Sequence, residues 1–138
     1  MLQAVGPSDG RIGREAARGL GAGKLITMQM TKEELGDDVL KLKLAGSFDI
    51  AGAGEMDMPF AVISGSRRKV VVDFTDVDFL ASIGIRVLVK AARAIGNKGG
   101  RMALFGANDA ARKVLASTGA DTLITVTDGE AAAIAAVA

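Results

Sequence analysis

Apolar and polar residues alternate strictly over Val39–Ala45, with Leu40, Leu42 and Leu44 on one side and Val39, Lys41, Lys43 and Ala45 on the other. A period of two marks a half-buried strand, so this one is expected to turn its lysines toward water. Leu25–Met30 alternates more weakly and reads as an edge strand. With Thr31–Asp38 as a polar connector, the two strands form a hairpin. The rhythm then changes. Met56, Phe60 and Ile63 recur at three- and four-residue spacing, which predicts a helix within Asp49–Ser64. Gly52 and Gly54 weaken its start, and Pro59 would remove an interior hydrogen bond, so the helix is expected to begin near Asp57 with Pro59 in its first turn.

Val70–Phe74 is an apolar run of the kind a strand shows when both of its faces are covered. An acidic loop with Asp76 and Asp78 is expected after it, leading through Phe79-Leu80-Ala81 to Ser82. From Ser82 to Ile95 the pattern is helical. Ile85, Leu88, Val89 and Ala92 form the buried stripe, and Arg86, Lys90 and Arg93 the wet face. Gly96-Asn97 ends the helix. Arg101–Phe105 reads as a strand, and Asn108 as the cap of a helix from Asp109 to about Thr118, stopped by Gly119. Leu123–Val126 reads as a short strand, and Thr127-Asp128-Gly129-Glu130 as a capping box before a terminal helix of mostly Ala, Ile and Val. The order β-β-α-β-α-β-α-β-α defines an α/β fold. After the opening hairpin, alternation implies parallel pairing, hence a small mixed β-sheet flanked by α-helices.

Composition narrows the chemistry. The chain has no His and no Cys, which excludes Ser-His-Asp and Cys-His nucleophiles, thiolate zinc sites and disulfides. With neither Trp nor Tyr and only 5 Phe, stacking platforms for single-stranded nucleic acid are not expected. A net charge of +1 argues for neither nucleic acid nor membrane as partner. No apolar stretch has the length of a membrane span or a secretion signal, so a cytoplasmic location is expected. Residues 1–23 are rich in Gly and carry Arg11, Arg14 and Arg18, and are read as a flexible extension. A basic arm contacting a partner is the sharper alternative.

Ser82 is the residue whose position suggests function. It stands where a helix begins at the carboxyl edge of a buried strand, the edge at which open α/β sheets place their sites. Free N–H groups and the positive dipole end favour a phosphate there, so Ser82 is an N-cap, a phosphoacceptor or both. Asp49, Asp73, Asp76 and Asp78 are expected in loops at the same edge, as solvated acids, with a magnesium site as the alternative. No cofactor is expected. The glycines do not form a phosphate loop or a dinucleotide fingerprint. Arg67-Arg68-Lys69 is read as a solvated loop, or as a contact for an acidic partner.

Several stretches together resemble the STAS family, the domain of bacterial anti-sigma factor antagonists. Val39–Gly46 followed by Ser47-Phe48-Asp49 resembles that family's second strand and its Gly-x-hydrophobic-Asp turn. Val70–Phe74 is similar to its central strand, Phe79–Leu88 to its phosphorylation motif, Gly99-Gly100-Arg101-Met102 to the start of its next strand, and Val114–Gly119 to the end of its third helix. The likeness runs from Lys24 to the C-terminus, so residues 24–138 form the STAS-like domain after the extension. It departs at two positions: Ala81 stands where the family usually has Asp, and Ile83 where it often has a second Ser.

The resemblance implies a non-enzymatic signalling module. Unphosphorylated, such a module binds an anti-sigma factor that is also a serine kinase. Phosphorylation at Ser82, rather than at Ser47, Ser64, Ser66 or Ser117, ends the interaction, and a serine phosphatase restores it. Partner contacts are implied at Asp49, Ala81, Ile83, Gly84 and Arg86. Stand-alone STAS proteins also resemble stressosome scaffolds and accessory subunits of lipid transporters, which keeps a role without a sigma factor open. A small enzyme using only carboxylates and Lys is the least supported alternative.

Overall fold

The computed structural model describes residues 27–138. The expected extension over residues 1–23 and the start of the expected strand Leu25–Met30 lie outside them. Among the described residues five strands form one mixed sheet in sequential order: β1 (Met28–Glu34), β2 (Val39–Phe48), β3 (Lys69–Leu80), β4 (Arg101–Phe105) and β5 (Thr125–Thr127). Only β1 and β2 pair antiparallel; the other neighbours are parallel. The connecting helices are α1 (Ile50–Ser66), α2 (Ser82–Asn97) and α3 (Asp109–Ser117), and α4 (Glu130–Val137) follows the last strand. A short 3-10 turn over Ala120–Thr122 displaces the last strand from the expected Leu123–Val126 to Thr125–Thr127.

Each face of the sheet has its own core. Leu40, Leu42, Leu44, Val70, Val72, Met102 and Leu104 pack against α1, α2 and α3. Val39, Val71, Ala103 and Phe105 pack against Ala133 and Val137 of α4. The apolar run Val70–Val72 is thereby covered on both sides, as its composition requires. The same arrangement corrects the expectation that both lysines of β2 face water. Lys43 is exposed, but Lys41 is half-buried beside α4, its Nζ 2.9 Å from Glu130 Oε1 and 5.9 Å from the ring centre of Phe105. Glu130 holds the Lys41 ammonium above its ordinary range, with Asp73 adding to the effect. The expected capping box does not form. Gly129 is the N-cap of α4, and Glu130 reaches Lys41 instead.

Three other expectations change for physical reasons. β1 continues through Thr31–Glu34, read as a connector, because its backbone pairs with β2 up to Glu34↔Leu40. α1 starts at Ile50, not near Asp57, because Asp49 Oδ1 accepts a hydrogen bond from Gly52 N at 2.9 Å and caps the helix there. Interior proline costs about 3 kcal/mol or more. Burying Ala53, Met56, Phe60 and Ile63 on the core side offsets that, at roughly 1.5–3 kcal/mol for each large apolar side chain. Lastly, the expected acidic loop after Phe74 is the second half of β3, which runs unbroken to Leu80. Its register with β2 shifts twice, between Lys43 and Ala45 and between Gly46 and Ser47, each shift placing an extra residue on β3. The core residues Val72, Phe74, Val77 and Leu80 therefore fall at spacings of two, three and three.

β4 ends opposite Asp73, so the later part of β3 projects beyond it, paired only with β2. This extension carries the starts of α1 and α2. α2 closes onto it at Gly84, where an added Cβ would lie 2.7 Å from Phe48 Cδ1 and 2.9 Å from the Phe48 carbonyl oxygen. Phe48 is fully buried and cannot yield. Gly84→Ala should therefore destabilise the domain by about 1–3 kcal/mol, the usual cost of overpacking. Chemical denaturation should show this as a lower midpoint with an unchanged slope. Full retention of stability would mean that α2 can lift from Phe48.

Candidate functional site

Phe48 and Leu80 are partners in the parallel ladder, and the Ala81 N–H donates to the Phe48 carbonyl at 3.0 Å. The two strands thus end side by side and release α1 and α2 together. Two helix N-termini lie next to each other at the carboxyl edge, with Asp49 before one and Ala81-Ser82 before the other. Their capping differs. The α1 terminus is closed by the Asp49 carboxylate, whereas Ala81 is the N-cap of α2 and makes no side-chain bond. Ser82 is the first residue of α2, not its cap, and it is exposed. The N-cap role expected for Ser82 is therefore corrected. Its hydroxyl stands in solvent at a terminus whose side-chain cap is missing, where N–H groups and the dipole favour negative charge.

The other residues singled out from the sequence take different places. Ile83 and Arg86 line an open groove between α1 and α2, Arg86 exposed and Ile83 half-buried. Gly84 is buried against Phe48 and offers no surface of its own. Ala81 is half-buried at the strand end. Asp49 is half-buried and occupied with Gly52 N.

The acidic residues do not converge. Asp73, Asp76 and Asp78 lie on strand β3, not in loops. Asp73 is only 5% exposed and accepts from Thr75 N at 2.9 Å and Thr75 Oγ1 at 2.6 Å. Asp76 pairs with Lys43 at 3.3 Å. Among the described residues no group of three or more His, Cys, Asp or Glu is placed to hold a metal ion. The basic run at the opposite edge of the sheet is structural. Arg67 grips Glu34 with two hydrogen bonds of 2.6 and 2.8 Å and holds its carboxyl below the usual range. Arg68 donates to Lys98 O at 3.2 Å, and Lys69 to Asp37 O at 3.3 Å. No helix among the described residues is long and apolar enough to cross a membrane.

The sequence reading missed the outward side of α1, where Ile50, Met58 and Val62 are exposed. Their four-residue multiples (50, 58, 62) were a usable signal, but the late start assigned to the helix obscured it.

A family model described as "Mlab, STAS domain" matches residues 31–125. Among solved structures, an anti-sigma factor antagonist from Mycobacterium paratuberculosis is similar with a TM-score of 0.71 at 24% identity, covering 80% of this chain and 93% of that one. The anti-sigma factor antagonist SpoIIAA in its unphosphorylated form has a TM-score of 0.64 at 18% identity, covering 75% of this chain and 92% of its own. SpoIIAA, a Bacillus cell fate determinant, is also similar in its phosphorylated form, with a TM-score of 0.60 at 18% identity over 75% and 96% of the two chains. A sulfate transporter family protein from Wolinella succinogenes has a TM-score of 0.63 at 18% identity over 75% and 88%. At these identities the likeness is one of fold. A search of curated proteins gives no significant match.

The two capping arrangements predict opposite responses to mutation. Asp49→Ala should cost about 1 kcal/mol and Ala81→Asp should gain about 0.5–1 kcal/mol, since one removes an N-cap and the other supplies one. Ser82→Ala should change stability by less than about 0.5 kcal/mol, as expected for an exposed position. Denaturant midpoints check all three. A loss for Ser82→Ala equal to that for Asp49→Ala would make Ser82 the true cap.

Proposed function

The chain belongs to the STAS domain family, and on that premise we propose that it is an anti-sigma factor antagonist-like module switched by phosphorylation at Ser82. In its unphosphorylated form it binds an anti-sigma factor that is also a serine kinase. That kinase phosphorylates Ser82 and the complex ends; a serine phosphatase reverses the step. The protein is the substrate in this cycle and not an enzyme, and it acts in the cytoplasm. The observation that carries the reading is the exposed Ser82 in the first turn of α2, beside the start of α1, in a domain whose fold neighbours include anti-sigma factor antagonists. One of these, SpoIIAA, exists in both unphosphorylated and phosphorylated forms. Ser47 is half-buried within β2, Ser64 is buried in α1, and Ser66 and Ser117 stand at the last positions of their helices, where a negative charge opposes the dipole.

The physical logic of the switch is local. A phosphate adds about −1.5 to −2 charges. At a helix N-terminus that charge suits the fold, by about 0.3–1 kcal/mol. Against a partner seated over the same site it introduces an unpaired charge into the contact. The domain need not refold for binding to be lost.

A second reading keeps the fold and drops the sigma factor. The chain would then be a STAS scaffold or an accessory subunit of a transporter. It is favoured by the match to a model described as "Mlab, STAS domain", by the sulfate transporter family neighbour, and by Ala81 and Ile83 flanking Ser82.

Incubation with the cognate kinase and ATP, followed by mass spectrometry, should place phosphate on Ser82. Ser82→Ala should bind the kinase and resist inactivation. Ser82→Asp and Ser82→Glu should weaken binding by on the order of 2 kcal/mol or more while keeping the melting temperature. Equal binding by the Ala and Asp variants would sink the switch and favour the scaffold reading.

A further inference from the structure

The outward surface formed by α1 and α2 has a composition that the core does not explain. Helix α1 turns Ala53, Met56, Phe60 and Ile63 inward, yet Ile50, Met58 and Val62 on its other side are 80%, 71% and 61% exposed. Helix α2 carries no acidic residue, and Arg86, Lys90 and Arg93 form an exposed stripe along it. Lys90 pairs with Asp57 of α1 at 3.2 Å. No acidic residue among those described pairs with Arg86 or Arg93. Between the helices runs an open groove of about 520 Å³, its floor formed by Ile50, Gly54, Ile83 and Val87 and its α2 rim by Arg86 and Lys90.

The geometry points to a helix-in-groove docking site. Its occupant is an amphipathic helix of a partner protein that sets apolar side chains between α1 and α2 and turns Asp or Glu toward the α2 rim. A concave, apolar floor beside exposed apolar residues on the flanking helix is the surface that anchors spaced i, i+3/i+4 and i+7 enter. The charge of the occupant follows from the rim. Arg86 on the rim and Arg93 two turns further along α2 have no acidic partner among the described residues, and a flank of carboxylates supplies one. A second copy of the same face would not. It offers Arg86, Lys90 and Arg93 against like charges, and its one groove acid, Asp57, is already engaged. A flat bilayer surface does not fill a concave groove.

This inference rests on the partner-switching reading and deepens it by giving the partner's chemistry. Ser82 adjoins Ile83 at the end of the groove and lies one turn before Arg86 on the same helix. A phosphate on Ser82 would repel an acidic flank, and at i, i+4 it would also engage the Arg86 guanidinium that the flank needs.

The test uses the unphosphorylated full chain without kinase, so that failure of the groove and failure of the Ser82 switch are told apart. The probes are a helical peptide with leucines on one face and glutamates along one flank, and its twin with lysines in place of the glutamates. Fluorescence anisotropy should show the glutamate peptide binding at least about tenfold tighter, equivalent to about 1.4 kcal/mol. NMR shifts should fall on Ile50–Val62 and Ile83–Arg93. The Arg86→Glu/Arg93→Glu double variant should invert the preference. Met58→Asp should weaken both peptides without lowering the melting temperature, because the position is exposed. Equal affinity for the two peptides, binding of neither, shifts on other faces, or a preference that survives the double variant would each overturn the proposal. Tighter binding to phosphatidylglycerol vesicles through the same residues would overturn it in favour of a lipid surface.

Discussion

The pairing of the last residues of β2 and β3 is the constraint on which the rest of the site depends. Phe48 and Leu80 are opposite one another, Ala81 N bonds to Phe48 O, and Gly84 lies on the Phe48 ring. Because the strands are parallel, both must hand over to helices at the same edge. α1 and α2 therefore start as neighbours and pack along each other. The site at Ser82 and the groove below it are two consequences of one ladder. The double bulge in β3 serves the same end, since it lets a strand of 12 residues continue past its β4 partner while keeping Phe74, Val77 and Leu80 in the core.

Electrostatic interactions are distributed around this frame with a clear division of labour. On the α4 face, Lys41, Asp73 and Glu130 tie β2, β3 and α4 together in a half-buried cluster. The cost of desolvating such charges opposes their attraction, so the cluster joins the three elements without a large net gain in stability. At the amino edge of the parallel strands, Arg67, Arg68 and Lys69 are engaged with Glu34 and with backbone carbonyls. Arg86 and Arg93, which pair with no acidic residue among those described, are on α2, the helix that also carries Ser82. These two charges, the exposed Ile50, Met58 and Val62, and the open helix terminus thus belong to one pair of neighbouring helices, α1 and α2.

The switch proposed for this STAS domain would couple a covalent change to binding without a conformational transition. The terminus of α2 already favours negative charge, so the modification proposed at Ser82 would leave the fold intact and alter only what can dock. Ala81 matters in this respect. A residue with no side-chain acceptor leaves the first N–H groups of α2 unclaimed, whereas an Asp at that position would both cap the helix and place a permanent negative charge beside Ser82.

Local pattern was enough to read the element order, the α/β class, the doubly covered strand Val70–Val72, the buried Ile85, Leu88 and Ala92 of α2 and the cap at Asn108. Each follows from periodicity or from a side chain acting on its own neighbourhood, so each is encoded within a few residues. The position of Ser82 near a helix start was legible in the same way. Its displacement from the cap to the first turn was not, because that depends on the Ala81 bond to Phe48, a residue far away in sequence. The acidic stretch Thr75–Asp78 looked like a loop because two bulges broke its period, and those bulges exist only in the pairing with β2. Pro59 suggested a late helix, but packing of Ala53 and Met56 against the core decided otherwise. Lys41 looked solvent-facing until α4 covered it. What sequence alone determined, then, are the elements and their inward faces, since burial writes itself into local spacing. What only tertiary structure decided is which termini meet, which charges are engaged and which apolar side chains remain uncovered, because those are properties of long-range contacts that no single segment carries.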